Sequence, residues 1–280
     1  MGTLYIVSTP IGNLEDVTQR ALRVLAEADR ILAEDTRRTA VLLKRYAIET
    51  PLISLHAHNE SARSRRVLEW LEQGQTLALV SDAGTPLLSD PGERLVRDVL
   101  GGGHAVVPVP GASALLAALV GSGLDTARFT FLGFLPRGGR ARAEALERIE
   151  RSEMTTVVYE SPNRLVRLLE DLASGCGVER PVVVARELTK LHESFVRGST
   201  AEVLAHYRAQ PSIRGEVVVL VGAGSGAEDV AAADPGDVAR ELIAAGMSAS
   251  EAARELARRL QLRRNQAYQI VQSLDPAEER

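Results

Sequence analysis

The stretch Leu4-Tyr5-Ile6-Val7-Ser8-Thr9-Pro10-Ile11-Gly12-Asn13 (LYIVSTPIGN, residues 4–13) joins a short apolar run directly to a turn. Residues 4–7 are apolar, two of them β-branched and one aromatic, which is typical of a buried strand. Pro10 stiffens the turn that follows, and Gly12 lets another group approach the backbone closely. The stretch therefore predicts a strand that ends in a turn suited to holding a ligand.

Strand-like and helix-like runs alternate along the chain after this opening. Further strands are predicted at residues 30–33, 76–80, 105–109 and 129–132, separated by amphipathic stretches such as 17–28 and 61–73. Such βαβ alternation favours a sheet of parallel strands covered by helices, with crevices at the carboxyl ends of the strands. The fold class predicted from this pattern is α/β.

A change in composition divides the rest of the chain. Strands predicted at 155–159, 181–185, 193–197 and 216–221 define a second α/β lobe, and small polar residues follow. We expect an N-terminal α/β lobe at 1–115, a second α/β lobe at 116–222, a linker at 223–235 and a small helical domain at 236–280.

Three short helices are predicted in the tail, where Ser248 and Glu251 form a capping box, and they resemble a helix-turn-helix. The tail is rich in arginine, and a face of this kind could bind phosphates. The alternatives are a solvated helix face and a dimerisation module.

The composition excludes several classes of protein. The chain has 280 residues, 45% of them hydrophobic, but no apolar run long enough to cross a bilayer and no signal-peptide start, so we expect a cytoplasmic protein without a membrane partner. Cys176 is the single cysteine and the histidines lack ligand spacing, so no metal site is expected. The net charge of -4 gives no global signal for nucleic acid.

Three predicted strands end in turns that contain glycine or proline, at residues 9–13, 81–86 and 108–113. Parallel strands would bring these turns to one edge of the sheet. Ser113 precedes a predicted helix whose first N–H groups could bind an anion, and Asp82 could accept a hydrogen bond from an amine or hydroxyl. The P-loop, the G-x-G-x-x-G turn and the G-x-S-x-G elbow are all missing. The pattern predicts a cradle for a small polar molecule that bears both charges.

A long series of motifs carries a resemblance to a known family. They read, in order, GTLYIVSTPIGNLEDVTQRALRVL, AEDTRRT, SLHAHNE, LVSDAGTPLLSDPG, PVPGASA, FLGFLPR, YESPNRL, ARELTKLHE and RGEVVVLV. The chain resembles the ribosomal RNA small-subunit methyltransferase I family, within the tetrapyrrole methylase superfamily, from residue 2 to about residue 221. SDAGTP stands where corrin-ring and diphthamide methylases of the superfamily have a Gly-Asp-Pro turn.

The resemblance implies transfer of a methyl group from S-adenosylmethionine to the ribose 2′-hydroxyl of a cytidine in small-subunit (16S) ribosomal RNA. It also implies a homodimer of chains whose two α/β lobes hold the cofactor in the cleft between them. The implied cofactor-binding residues are Pro10, Ile11, Gly12, Asp82, Gly84, Thr85, Ser113, Ala114, Tyr159, Glu187 and Glu216.

Methylation of a ribose hydroxyl calls for a nearby base, or for a cation that stabilises the developing alkoxide. Lys190, desolvated so that its pKa falls towards neutrality, is our first candidate base, with Glu187 or Glu193 to orient it. Asp35 is the second candidate. The alternatives are an exposed cluster of ion pairs around Lys190 and a helix-capping role for Asp35.

Three groups of basic residues could follow the phosphate backbone of RNA, and the alternative for each group is a solvated helix face. They comprise Arg37, Arg38, Lys44 and Arg45, then Arg63, Arg65 and Arg66, then Arg137, Arg140 and Arg142. Aromatic residues make up only 4% of the chain, which favours a folded RNA surface or an assembled ribosomal subunit over a stacking platform. Two other functions stay open: a methylase of a small tetrapyrrole or corrin, and a ligand-sensing helix-turn-helix regulator.

Overall fold

Two five-stranded sheets organise the chain in the computed structural model, which describes residues 1–56, 59–224, 234–245, 247–260, 262 and 264–274. The first sheet contains β1 (Thr3–Val7), β2 (Arg30–Ala33), β3 (Leu52–Ser54), β4 (Thr76–Val80) and β5 (Ala105–Val109). Its order is β3-β2-β4-β1-β5, and every pair is parallel. The helices between these strands are α1 (Gln19–Glu27), α2 (Thr36–Arg45), α3 (Glu60–Glu72) and α4 (Glu93–Gly101).

Helices cover both faces of the first sheet. The side chains of each strand alternate between the two faces, so apolar side chains on both faces have to be buried. In β1, Leu4 and Ile6 join a core with Leu71 of α3 and Leu95 of α4. Val7 faces the opposite way, into a core that α1 and α2 complete. This two-sided burial explains why the strands read as continuous apolar runs.

The second lobe holds a mixed sheet. Its helices are α5 (Ala114–Ser122), α6 (Gly139–Glu150), α7 (Pro162–Gly175) and α8 (Thr200–Arg208). Its strands are β6 (Phe129–Phe134), β7 (Thr155–Glu160), β8 (Pro181–Arg186), β9 (Ser194–Ser199) and β10 (Val217–Val221), in the order β6-β7-β10-β8-β9. Only β6 and β7 pair in parallel, and the remaining pairs are antiparallel.

One apolar core joins the two lobes. On one face of the second sheet, Leu115 and Leu119 of α5 pack with Val218 and Leu220 of β10. Ile11, from the turn after β1, lies in the same cluster. The first turn of the N-terminal lobe is therefore buried against the second lobe, which places it in the cleft.

The predicted strands are confirmed, apart from shifts of one or two residues at their ends and the omission of β3. That strand has only three residues and lies at the edge of its sheet, so its sequence pattern is short. The lobe boundary predicted between residues 115 and 116 falls inside α5 and stays a prediction. Most of the predicted linker, residues 225–233, lies outside the described residues.

A helical unit follows, with α9 (Pro235–Ala244), α10 (Ala249–Arg259) and α11 (Arg264–Leu274). Leu242, Leu256 and Val271 contribute one side chain from each helix to its apolar core. The predicted capping box is present, because the backbone N–H of Glu251 donates to Ser248 Oγ and the backbone N–H of Ser248 donates to Glu251 Oε2. Among the described residues, no helix is both long and apolar enough to cross a membrane.

Candidate active site in the cleft between the lobes

The three predicted turns meet at one edge of the first sheet, as expected. They follow β1, β4 and β5, which are neighbours in a parallel sheet. The backbones of Thr9 and Gly84 exchange hydrogen bonds of 2.9 and 3.0 Å. The hydroxyls of Ser8 and Thr85 are 3.1 Å apart, and Thr85 donates to the carbonyl of Ala112 at 3.1 Å. These bonds hold all three turns in one rigid floor.

A cavity of about 360 Å³ lies above this floor, between the lobes. Eight of the residues predicted to bind the cofactor line it: Ile11, Asp82, Gly84, Thr85, Ser113, Ala114, Tyr159 and Glu216. The other residues of its wall were not predicted to bind the cofactor: Arg38, Ala83, Leu88, Ser89, Asp90, Phe134, Glu160, Ser161, Pro162, Leu188, Gly215, Val217 and Val218. Phe134 lies in the motif FLGFLPR and Glu160 in the motif YESPNRL. Membership of these family motifs is the feature of the sequence from which both residues could have been predicted.

Three predicted cofactor residues are not among the residues that line this cavity. Pro10 faces a neighbouring hollow of about 100 Å³, which shares Arg38 and Asp82 with the main cavity. Gly12 packs beneath the side chain of Lys190, and Glu187 packs against Gly215. These residues support the wall from behind.

Asp82 is the anchored anion of the first lobe. Its Oδ1 accepts a hydrogen bond from the backbone N–H of Asp35 at 2.9 Å, and its Oδ2 lies 3.4 Å from the guanidinium of Arg38. Burial, together with the charge of Asp82, raises the pKa of Glu34 above its ordinary value, and the pKa of Asp90 is raised for the same two reasons. The carboxylates at this edge therefore create a negative field that attracts a cation.

Lys190 is held by two carboxylates of the second lobe. Its Nζ donates to Glu187 Oε1 at 2.8 Å and to Glu216 Oε2 at 3.1 Å. Burial acts to lower the pKa of Lys190, but the hydrogen bonds to both glutamates outweigh burial and raise the pKa above its usual value. The expectation of a neutral amine is therefore wrong. At neutral pH Lys190 is an ammonium beside the cavity-lining Glu216.

Asp35 and Glu193 have structural partners. Asp35 caps α2 and binds Arg37 through both carboxylate oxygens, and the side-chain hydrogen bond from Arg37 lowers its pKa to about 2. Glu193 accepts the backbone N–H of Thr189 at 2.6 Å, which closes the loop that carries Lys190. Neither residue lines the cavity. These contacts favour helix capping for Asp35 and loop support for Glu193.

The basic groups differ from one another in their surroundings. Arg142 is buried and bonds to Asp171 and the carbonyl of Pro136, so the expectation that it contacts RNA is wrong. Arg66 lies over the ring of Trp70, and Arg38 enters the cavity wall. Arg140 is exposed, although it pairs with Glu144 on α6.

Replacing Gly12 with alanine should destabilise the protein and reduce its turnover. A Cβ at position 12 would lie 2.5 Å from Cγ of Lys190 and 2.9 Å from the carbonyl oxygen of Leu188, so the lobes must separate or Lys190 must move. We expect a loss of about 1–3 kcal/mol in the free energy of unfolding, measured by denaturant titration. Gly101→Ala is the matched control, because nothing lies within 4 Å of a Cβ there. Equal stability of the two variants would contradict the prediction.

The two α/β lobes and the cleft between them define a class of protein. The profile of the tetrapyrrole (corrin/porphyrin) methylases matches residues 3–204 of the chain. The chain is 45% identical to ribosomal RNA small subunit methyltransferase I of Synechocystis over 278 residues, which cover 98% of this chain and 99% of the relative. It is 44% identical to the Haemophilus influenzae protein of the same name, with 96% of each chain covered. The chain belongs to the ribosomal RNA small subunit methyltransferase I family of tetrapyrrole methylases.

Solved structures share the fold of the two lobes. Uroporphyrin-III C-methyl transferase from Thermus thermophilus, complexed with S-adenyl homocysteine, superposes with a TM-score of 0.58 at 22% identity. The match covers 79% of this chain and 97% of that structure. At this level of identity the likeness establishes the two-lobed architecture alone.

Proposed function

We propose that the protein transfers a methyl group from S-adenosylmethionine to the ribose 2′-hydroxyl of a cytidine in small-subunit ribosomal RNA. The observation that carries the proposal is the cavity itself, which is lined by Asp82 of one lobe and by Glu216 of the other, with Lys190 hydrogen-bonded to Glu216. Family membership supports the reaction class and the RNA substrate.

The cleft suits a cationic methyl donor. Asp82, Asp90, Glu160 and Glu216 line it, against Arg38 as a basic residue of the wall. Ile11, Leu188 and Val218 supply an apolar floor. Gly84 has a φ of +78°, and a Cβ there would lie 3.2 Å from Cγ2 of Ile11. Glycine therefore lets this turn pack closely against Ile11 and adds no side chain to the floor of the cavity. S-adenosylmethionine bound here supplies an activated methyl group.

The chain's own residues then have to orient and deprotonate the sugar hydroxyl. Alignment of the reacting atoms contributes up to about 7–11 kcal/mol in favourable cases. The Lys190 ammonium stabilises negative charge that develops on the ribose oxygen, in a site where a fixed charge is worth more than in water. By stabilising that charge, Lys190 lets the proton leave for the Glu216 carboxylate ahead of the new bond between the ribose oxygen and the methyl carbon, and the electrons of the breaking S–C bond stay on the sulfur. Glu187 holds Lys190 and the backbone N–H of Glu216 in place.

The assembled small subunit is the proposed substrate, because few aromatic residues are available for stacking on unfolded RNA. A homodimer in the cytoplasm is the proposed working form. Leu116 and Val120 support self-association, since they lie four residues apart on α5 and are 51% and 76% exposed.

Methyl transfer can be measured directly with labelled S-adenosylmethionine. The protein is incubated with small subunits from cells that lack it, with bare small-subunit RNA, or with uroporphyrinogen III. We expect label in the RNA of the small subunits, at the 2′-oxygen of one cytidine after nuclease digestion. Label in the tetrapyrrole alone would replace the proposal by the small-molecule methylase. Ligand binding with no labelled product in any arm would favour the sensor.

A further inference from the structure

One end of the cavity is built differently from the Asp82 end. Phe134 of β6 and Tyr159 of β7 form part of its wall, and Glu160 and Pro162 continue that wall at the start of α7. The ring centroids of Phe134 and Tyr159 are 5.5 Å apart, with an angle of 61° between the ring planes. This end therefore combines an aromatic wall with a carboxylate, a pairing that suits a flat polar ring.

Glu160 has one carboxylate oxygen to which none of the described residues donates a hydrogen bond. Its side chain is 0% exposed, and its Oε1 accepts the backbone N–H of Ser161 at 2.7 Å and pairs with Arg164 at 2.6 Å. Oε2 is buried and has no hydrogen-bond partner among the described residues. Because leaving a buried acceptor unpaired is costly, native proteins rarely do so without a functional reason. Glu160 is one of the residues that line the cavity, so a rotation of its carboxylate would bring Oε2 to a ligand bound there, and that ligand would supply the missing donor.

Phe134 supplies the complementary surface. Its side chain is 55% exposed although it lines the cavity, and its neighbour Tyr159 contacts it edge to face. An exposed aromatic ring in a cavity wall offers a surface on which a nucleobase can stack, a contact worth about 1–3 kcal/mol per base.

We propose that Glu160 and Phe134 form a subsite for an amino-substituted nucleobase, whose ring stacks on Phe134 and whose exocyclic amine donates a hydrogen bond to Glu160 Oε2. Carboxylates accept hydrogen bonds from such amines in base recognition. This subsite rests on the proposed function and adds a specificity determinant to it. Two bases could supply the amine: the adenine of the cofactor and the cytosine of the target nucleotide.

The test compares ligands that differ only in that amine, with the wild type and Glu160→Gln side by side. In the first arm, calorimetry measures the Kd of S-adenosylhomocysteine and of its deaminated analogue, S-inosylhomocysteine. In the second arm, methyl transfer is measured on small subunits with cytidine or uridine at the target position. We expect the wild type to prefer the amine by about 10-fold or more in one arm, and Glu160→Gln to lose most of that preference. The arm that responds identifies the source of the base.

Two further variants separate base recognition from a structural effect. Arg164→Met breaks the same ion pair as Glu160→Gln but leaves Oε2 in place, so it should keep the preference for the amine. Phe134→Leu should weaken binding of the recognised ligand about 10-fold, whereas Phe129→Leu, on the same strand but outside the cavity wall, should not.

Either of two results would overturn the subsite. The first is that the wild type shows the same Kd and the same rate of methyl transfer with the amine and keto ligands. The second is that Glu160→Gln and Arg164→Met lose the preference for the amine to the same extent. The calorimetric arm needs no RNA. A failure of RNA methylation would therefore refute the proposed function without deciding the first arm.

Discussion

Replacing Lys190 with methionine should lower the kcat of RNA methylation by about 10²–10³, because an ammonium aimed at developing negative charge contributes on that scale. The cofactor Kd should change by less than about threefold, since Lys190 is not among the residues lining the cavity. Single-turnover transfer of labelled methyl groups to small subunits measures the first quantity, and calorimetry measures the second.

Lys44 provides the matched control, because Lys44 and Lys190 are the only lysines of the chain. Lys44 lies exposed in the last turn of α2 and is not among the residues lining the cavity, so a contact of Lys44 with RNA would affect KM, and Lys44→Met should leave kcat within about twofold at saturating small subunits. Equal kcat values for Lys190→Met and the wild type would contradict the proposal that Lys190 stabilises the developing negative charge.

The pH dependence of the rate separates an ammonium from a neutral base. Because the hydrogen bonds of Glu187 and Glu216 outweigh burial and raise the pKa of Lys190, its charge persists throughout the neutral and mildly alkaline range. The single-turnover rate should therefore stay flat with respect to Lys190 between about pH 7 and 9. A rate that climbs about tenfold per pH unit in this window, and loses that climb in Lys190→Met, would indicate deprotonation of the amine instead.

Replacing Asp82 with asparagine should weaken binding of S-adenosylmethionine about 10- to 150-fold, the range for loss of a charged hydrogen bond. Asparagine retains an oxygen for the backbone N–H of Asp35 but removes the negative charge that faces the cavity. Calorimetry measures the Kd. Asp98→Asn is the control, because Asp98 lies on α4, where its ion pair is with the exposed Arg94.

Asp82→Asn has a second consequence that does not depend on the ligand. Burial and the charge of Asp82 both raise the pKa of Glu34, and the same two causes raise the pKa of Asp90. Removing that charge should shift both pKa values downwards, which carboxyl NMR titration detects. Unchanged cofactor affinity in a folded Asp82→Asn protein would contradict the assignment of Asp82 as the anion for the methyl donor.

The first sheet and its three turns could be predicted because each depends on neighbours in the chain. Residues 4–7 form a strand because they are apolar and in part β-branched, and Pro10 and Gly12 end it. Once βαβ order makes the strands parallel, their carboxyl ends meet at one edge, and Asp82 and Ser113 meet with them. The first-lobe residues that line the cavity were predicted in this way, and the family resemblance implied their proposed role in binding the cofactor.

The charge state of Lys190 could not be predicted in the same way. Glu187 is three residues away from it, but Glu216 stands beside it only because β10 pairs with β8. Burial alone would have lowered the pKa, and the antiparallel pairing of the second lobe supplied one of the two opposing hydrogen bonds, the one to Glu216. Arg142 is a parallel case, since its partner Asp171 lies on the neighbouring helix α7.

Local pattern thus determined the strands, the turns and the kinds of residue at the cleft, because strand and turn formation depend on a few consecutive residues. Tertiary structure alone decided that Glu216 stands beside Lys190, that Arg142 is buried, and that Glu160 Oε2 has no hydrogen-bond partner among the described residues. Those outcomes depend on contacts between residues that are distant in the chain, and the field and burial around a charged group are set by everything that surrounds it.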